Sequence, residues 1–244
     1  MTSSPRPAQA SAGGSLIKSL ADNSDGSSLA TRMRRARFAL FLSLLGTLKG
    51  HAAILDIGGT QDFWHQMTGG DPGDATVTLL NVEHQPVTSK KFVSAVGDAR
   101  AMPQYLTGSF DVVFSNSVIE HVGTYDQQRA MAAEIRRVGT RYWVQTPNKR
   151  FPLEPHFLFP FFQYLPSSVR AQMVNRFDVG WYKRIPDLEV ARAEVDSIQL
   201  LTKKKFVALF PGATIHAEKL GGLTKSFVAY YGWDTAYEAI ATLK

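Results

Sequence analysis

Cysteine is absent from the 244 residues. That excludes a disulfide framework, thiolate metal ligation and a cysteine nucleophile; it suits a reducing compartment, and a cytoplasmic location is the expectation. Long apolar runs are missing as well: the run 38–45 falls far short of the roughly 20 residues a membrane-spanning helix needs. No cluster of His, Asp or Glu shows metal-ligand spacing, and no segment repeats. Charge of one sign is in small excess, 27 Lys and Arg against 21 Asp and Glu, with a pI near 9.5. Such a balance favours anionic partners in general and does not specify nucleic acid. What is present is a chain with 44% hydrophobic content, enough for one sizeable core and too short for two large domains.

Residues 1–28 are rich in Ser, Ala, Gly, Pro and Asp and carry little that could be buried, so they read as a flexible tail preceding a single domain over 29–244. The segment 32–45 then places four arginines before an apolar run. It reads as a helix docked on the sheet with its arginines in water. The alternative is a peripheral contact with the inner face of a membrane.

From His51 onward, short apolar runs alternate with helical stretches, the signature of parallel strands joined by crossover helices. Strands are expected at 52–57, 76–82, 92–96, 110–115 and 141–146, and a helix at 126–138 with Met131, Ile135 and Val138 inward. Another helix is expected through Val195, Ile198, Leu201, Phe206 and Leu209. Two closing strands, 213–219 and 225–231, are joined so briefly that they must run antiparallel. The fold class is therefore α/β, a Rossmann-like seven-stranded and mostly parallel sheet with helices on both faces and a C-terminal antiparallel hairpin.

Polar residues collect where the strands end. The first strand closes on Asp56, followed by Gly58, Gly59 and Thr60; glycine lets a ligand approach the backbone, and a carboxylate there reaches an amino group or hydroxyl. Asn81 and Glu83 end the second strand on one face, and either can take ribose hydroxyls. After the third strand, the Asp98 carboxylate can accept from an adenine amino group while the Ala99 backbone meets the ring edge. Ser115 and Asn116 emerge at the tip of the fourth, and His121 follows an apolar run that should be packed.

In this order the segments resemble class I S-adenosylmethionine-dependent methyltransferases, in particular the broad group termed methyltransferase type 11. Asp56 and Gly58 match that family's acid and Gly-x-Gly-x-Gly loop, with Thr60 and Asp62 in place of the later glycines; Gly97-Asp98-Ala99, the run from Asp111 to His121 and the terminal hairpin match as well. The resemblance extends over 52–232 as an order of elements and implies S-adenosylmethionine as cofactor.

An insertion at about 147–190 departs from that scaffold, opening with four prolines among aromatics over 147–162. It is expected to wall a pocket for a small-molecule or glycan-like acceptor, and similar stretches occur in methyltransferases associated with sugars. If the acceptor atom is oxygen, His156 assisted by Glu154 is the first candidate for a base, ahead of His121. A nicotinamide oxidoreductase and a non-catalytic relic of the fold are the competing readings. Nucleic acid is not an expected partner, since no base-flipping motif follows the fourth strand.

Overall fold

The computed structural model describes residues 28–69 and 71–233; the expected tail lies outside them but for Ser28. In chain order the elements are α1 (Leu29–Leu45), β1 (Ala52–Ile57), α2 (Gln61–Thr68), β2 (Ala75–Asn81), β3 (Phe92–Val96), β4 (Val112–Asn116), α3 (Tyr125–Val138), β5 (Tyr142–Pro147), β6 (Leu153–Glu154), β7 (Phe159–Pro160), α4 (Ser167–Arg176), α5 (Leu188–Ser197), α6 (Lys203–Leu209), β8 (Thr214–Leu220) and β9 (Leu223–Tyr231). They divide into two units. Of the described residues, Phe38–Arg150 and those from Ile198 onward form a sheet unit, while those up to Arg37 and Phe151–Ser197 form a smaller one.

The sheet unit holds seven strands in the order β3-β2-β1-β4-β5-β9-β8. β1 to β5 pair in parallel, and β9 runs antiparallel to both β5 and β8. Each face is covered. On one, Leu55, Val113 and Val144 pack with Met131 and Ile135 of α3 and Phe206 of α6. On the other, Ile54, Phe114 and Trp143 pack with Phe38, Phe41 and Leu44 of α1 and Trp64 of α2.

The docked-helix expectation for 32–45 is met for its apolar face, but its arginines are not all in water, since Arg34 and Arg37 are half-buried and burial lowers the pKa of the Arg34 guanidinium. Phe38, Phe41 and Leu44 recur at helical spacing and are buried, with the Phe41 ring centroid 4.6 Å from Phe114 and 5.7 Å from Trp143. Each such burial contributes about 1.5–3 kcal/mol, which commits the apolar stripe to the core and leaves Arg32 and Arg35 exposed. No helix among the described residues is long and apolar enough to cross a membrane. In α3, Thr124 and Gln127 form a capping box, and Met131, Ile135 and Val138 face inward as their spacing requires.

One helix expectation fails. The apolar series from Val195 to Leu209 belongs to two helices, because 198–202 is extended and its backbone bonds elsewhere. The Gln199 N–H donates to the Glu120 carbonyl at 2.7 Å, the Leu201 carbonyl accepts from Lys149 at 3.0 Å, and Thr202 caps α6. Satisfying those partners outweighs continuing the helix. The second strand also stops one residue early, leaving Val82 81% exposed.

The smaller unit pairs β6 with β7, Glu154 opposite Phe159, and packs α4 on α5, where Arg170 donates to Asp196 at 3.2 Å and Ser167 to the same carboxylate at 2.8 Å.

Candidate functional site

β1 and β4 are parallel neighbours, with Asp56 opposite Phe114 and Ile57 opposite Ser115. The strand order reverses between them, so their C-terminal tips flank the crevice where open α/β sheets bind ligands. The chain leaves β1 through Gly58 at φ +76°, where a Cβ would also strike the Val118 side chain at 2.6 Å. At Gly59 a Cβ would overlap the Asp56 carboxylate, so only hydrogen fits. Thr60, in the place of a motif glycine, caps α2: its Oγ1 accepts from the Phe63 N–H at 3.2 Å. The departure from the glycine pattern thus has a structural function.

Asp56 is buried, and its Oδ2 accepts from the Trp64 indole Nε1 at 2.7 Å. Burial pushes its carboxyl up to about 7, and the Trp64 bond offsets only part of that rise. Asp56, Gly58, Gly59, Thr60, Phe114 and Asn116 line a cavity of about 100 Å³. Whole small-molecule pockets hold about 300–1,000 Å³, so this one is the floor of a site. A roomier hollow of about 500 Å³ lies near Leu45, Met67 and Asp74, at the opposite end of β1 and β2. The strands present no C-terminal tips there, and size alone does not mark the chemistry.

The other expected residues divide. Asn81 belongs with the turn, its Nδ2 donating to the Gly59 carbonyl at 2.9 Å. Glu83 lies two residues past the end of β2 and is exposed, so strand alternation does not tie it to the face of Asn81. Asp98 is gripped by Arg100, whose Nη2 donates to Oδ2 at 2.7 Å and whose Nε reaches both oxygens at 2.9 Å. Those bonds hold its carboxyl below the usual range. Ala99 packs against the core, and neither residue lines the cavity. Ser115 is fully buried and its Oγ lacks a partner among the described residues; strand alternation turns it away from the face of Phe114 and Asn116.

His121 ends a single 3₁₀ turn, Ile119–His121, and is exposed. The apolar run before it is packed as expected, with Val112, Val113, Phe114 and Ile119 buried, and the turn then puts Glu120 inside and His121 outside. Glu120 is fully buried, with Oε2 accepting from Thr146 Oγ1 at 2.9 Å. Sequence reasoning missed Glu120 and Trp64. An acid directly after Val118-Ile119, and a tryptophan eight residues past Asp56, were the available signals.

In the smaller unit Glu154 and His156 do meet. Glu154 is 2% exposed; its Oε1 lies 2.7 Å from His156 Nδ1, and its Oε2 accepts from the backbone N–H of His156 at 2.8 Å and of Phe157 at 2.6 Å. The intervening Pro155 helps, since the turn it makes wraps those donors around one carboxylate. An Nδ1 proton on that carboxylate leaves the basic lone pair on Nε2. Behind them Phe157 stacks on Tyr182 at 4.7 Å and meets Phe162 in a tilted contact at 4.3 Å. The Tyr182 hydroxyl is pushed up by burial, then by the charge of Glu194. Of the aromatics expected to wall a pocket, Phe157 and Phe162 turn inward while Phe159 and Phe161 are exposed.

This order of parallel strands, reversing beside a glycine turn and closed by a hairpin, defines a class I methyltransferase fold. Residues 50–141 match the family model described as "Methyltransferase domain". Among solved structures, a SAM-dependent methyltransferase from Methanosarcina mazei superposes with a TM-score of 0.50 at 15% identity, covering 77% of this chain and 94% of its own. The CurJ carbon methyltransferase gives a TM-score of 0.53 at 11% identity, covering 84% of this chain and 55% of its own. A curated relative, "Uncharacterized protein Rv1509" of Mycobacterium tuberculosis, is 40% identical over 53 residues, so the chain spans 18% of its length. Residues 50–141 are thus similar to a methyltransferase family and the fold is that of S-adenosylmethionine-dependent methyltransferases, a likeness that supports S-adenosylmethionine as the cofactor. The residues fit that cofactor: a turn where Gly59 admits no Cβ, beside a buried carboxylate pushed up by burial, a shift that a donating amino group or hydroxyl would relieve.

Proposed function

We propose that the chain transfers a methyl group to an oxygen of a small-molecule or glycan-like acceptor. The observation that carries the methyl-transfer reading is the Asp56–Gly58–Gly59 turn over its cavity. When bound, S-adenosylmethionine supplies an electrophilic methyl on a sulfonium sulfur. Asp56, Gly58, Gly59, Thr60, Asn81 and Asn116 are the residues assigned to hold it, and Glu83, Asp98, Ala99 and Ser115 remain candidates for its ribose and adenine. Asp56 offers the carboxylate, and the two glycines allow close approach to the backbone. Alignment of the reactants is worth roughly 7–11 kcal/mol in favourable cases.

The oxygen assignment rests on the Glu154–His156 pair. Glu154 orients the ring through Nδ1, so that Nε2 can hold the proton an acceptor hydroxyl gives up. His156→Ala should then lower the single-turnover rate at least about tenfold while adenosylhomocysteine binding is unchanged; an unaltered rate removes the base. The nicotinamide reading is disfavoured by Phe63, which stands where a dinucleotide fingerprint puts its third glycine and packs its ring 5.4 Å from Phe38.

A further inference from the structure

The smaller unit turns an unusual share of its large rings outward. Phe159, Phe161 and Tyr164 on one segment and Phe177 and Trp181 on the next are exposed, Phe161 and Phe177 over 58% and 63% of their surface. Single apolar residues in water are ordinary, but this many within 159–181 form a cluster that marks an interaction surface.

The backbone holds the first segment in place. Leu158 and Phe161 adopt φ of +48° and +60°, a conformation that bulky residues rarely take, and the Phe161 N–H is fastened to the Pro152 carbonyl at 2.7 Å. The second segment packs directly on it. Tyr182 stacks on Phe157, and Gly180, at φ +58°, lies so close to the Phe157 backbone that a Cβ would overlap it. The exposed rings therefore sit on adjoining, braced turns.

Charge selects the partner. Arg176, the last residue of α4, and Arg184, just past Trp181, are exposed and have no ion pair among the described residues. Lys183 shares the only acid of the second segment, Asp178, at 2.9 Å. A neutral sugar could stack on the rings and accept from the guanidinium groups but would leave both positive charges unbalanced. A phospholipid surface uses both features, taking rings at the boundary of headgroups and acyl chains and guanidinium groups on phosphates.

We propose that this face docks on an anionic phospholipid bilayer, with Phe159, Phe161 and Trp181 entering the interface and Arg176 and Arg184 resting on the headgroups. The contact differs from one through α1, whose apolar stripe is already spent in the core, and it does not depend on the methyl-transfer assignment.

The test is co-sedimentation of the full chain with vesicles of phosphatidylcholine alone and of phosphatidylcholine with one third phosphatidylglycerol. Partition should favour the anionic vesicles and weaken with salt. Phe159→Ser with Phe161→Ser, and separately Arg176→Glu with Arg184→Glu, should each lower it roughly tenfold or more without shifting the thermal midpoint. Brominated lipid should quench tryptophan emission in the native protein, and Trp181→Phe should remove most of that quenching. The proposal is overturned if no partition occurs, if both pairs of substitutions leave it unchanged, or if it is lost only on replacing Arg32 and Arg35 of α1. It is also overturned if the phenylalanine substitutions dissolve a dimer while vesicle binding stays.

Discussion

Replacing Asp56 with asparagine separates what the glycine turn needs for a ligand from what the empty fold prefers. The Asp56 carboxyl stands at about 7 in the fold against an ordinary 3.8, because burial disfavours its charged form. Its folded value is raised, so its contribution to stability is complete below the unfolded value and is lost as pH climbs through the folded one. From 3.8 to about 7, at roughly 1.4 kcal/mol per pH unit, that loss is about 4 kcal/mol. Asparagine carries no charge and keeps an oxygen to accept from Trp64 Nε1; burying its NH₂ unpaired costs about 1–3 kcal/mol. Asp56→Asn should thus equal or fall below the native protein near pH 4 and gain on it by up to about 4 kcal/mol near pH 8. At roughly 2–4 °C per kcal/mol for a chain of this size, the change is easily read by thermal or urea unfolding across pH. The same variant should bind adenosylhomocysteine more weakly by about 1–3 kcal/mol. Parallel pH–stability profiles for the two proteins would refute the reasoning.

Three further outcomes are expected. Gly59→Ala should displace the Asp56 carboxylate that its methyl would overlap and weaken adenosylhomocysteine binding by roughly tenfold or more, measured by calorimetry. Phe41→Ala should destabilise the sheet unit by about 3–5 kcal/mol, since that ring is fully buried between Phe114 and Trp143; urea titration reads the loss. Glu154→Ala should cost roughly 1.5–3 kcal/mol by urea titration, because two backbone donors and a ring nitrogen lose their acceptor.

What the sequence could reveal follows the range of the interaction involved. Periodicity of burial placed the sheet strands, α3 and the docking of α1, since each is a local consequence of one face being apolar. The continuous helix through Leu201 failed because periodicity says nothing of the long-range backbone bonds to Lys149 and Glu120 that break it. At the site, Asp56 and the glycines were legible from the strand-turn pattern. The Asp98–Arg100 grip and the inward turn of Glu120 depend on loop geometry that composition does not encode. Glu83 was placed by extending strand alternation past Asn81, where the strand itself ends. The exposure of Phe159 and Phe161, in the stretch read as a pocket wall, was not legible because aromatic content reports burial potential and the positive φ of Leu158 and Phe161 is invisible in it.

Calorimetric titration of the native protein with adenosylhomocysteine, with NADH as the control ligand, tests the central claim most directly. Micromolar or tighter binding of adenosylhomocysteine, no heat with NADH, and loss of the signal in Gly59→Ala are the predicted results. No heat and no thermal shift at millimolar adenosylhomocysteine would contradict the assignment of the Asp56–Gly59 turn as the cofactor site.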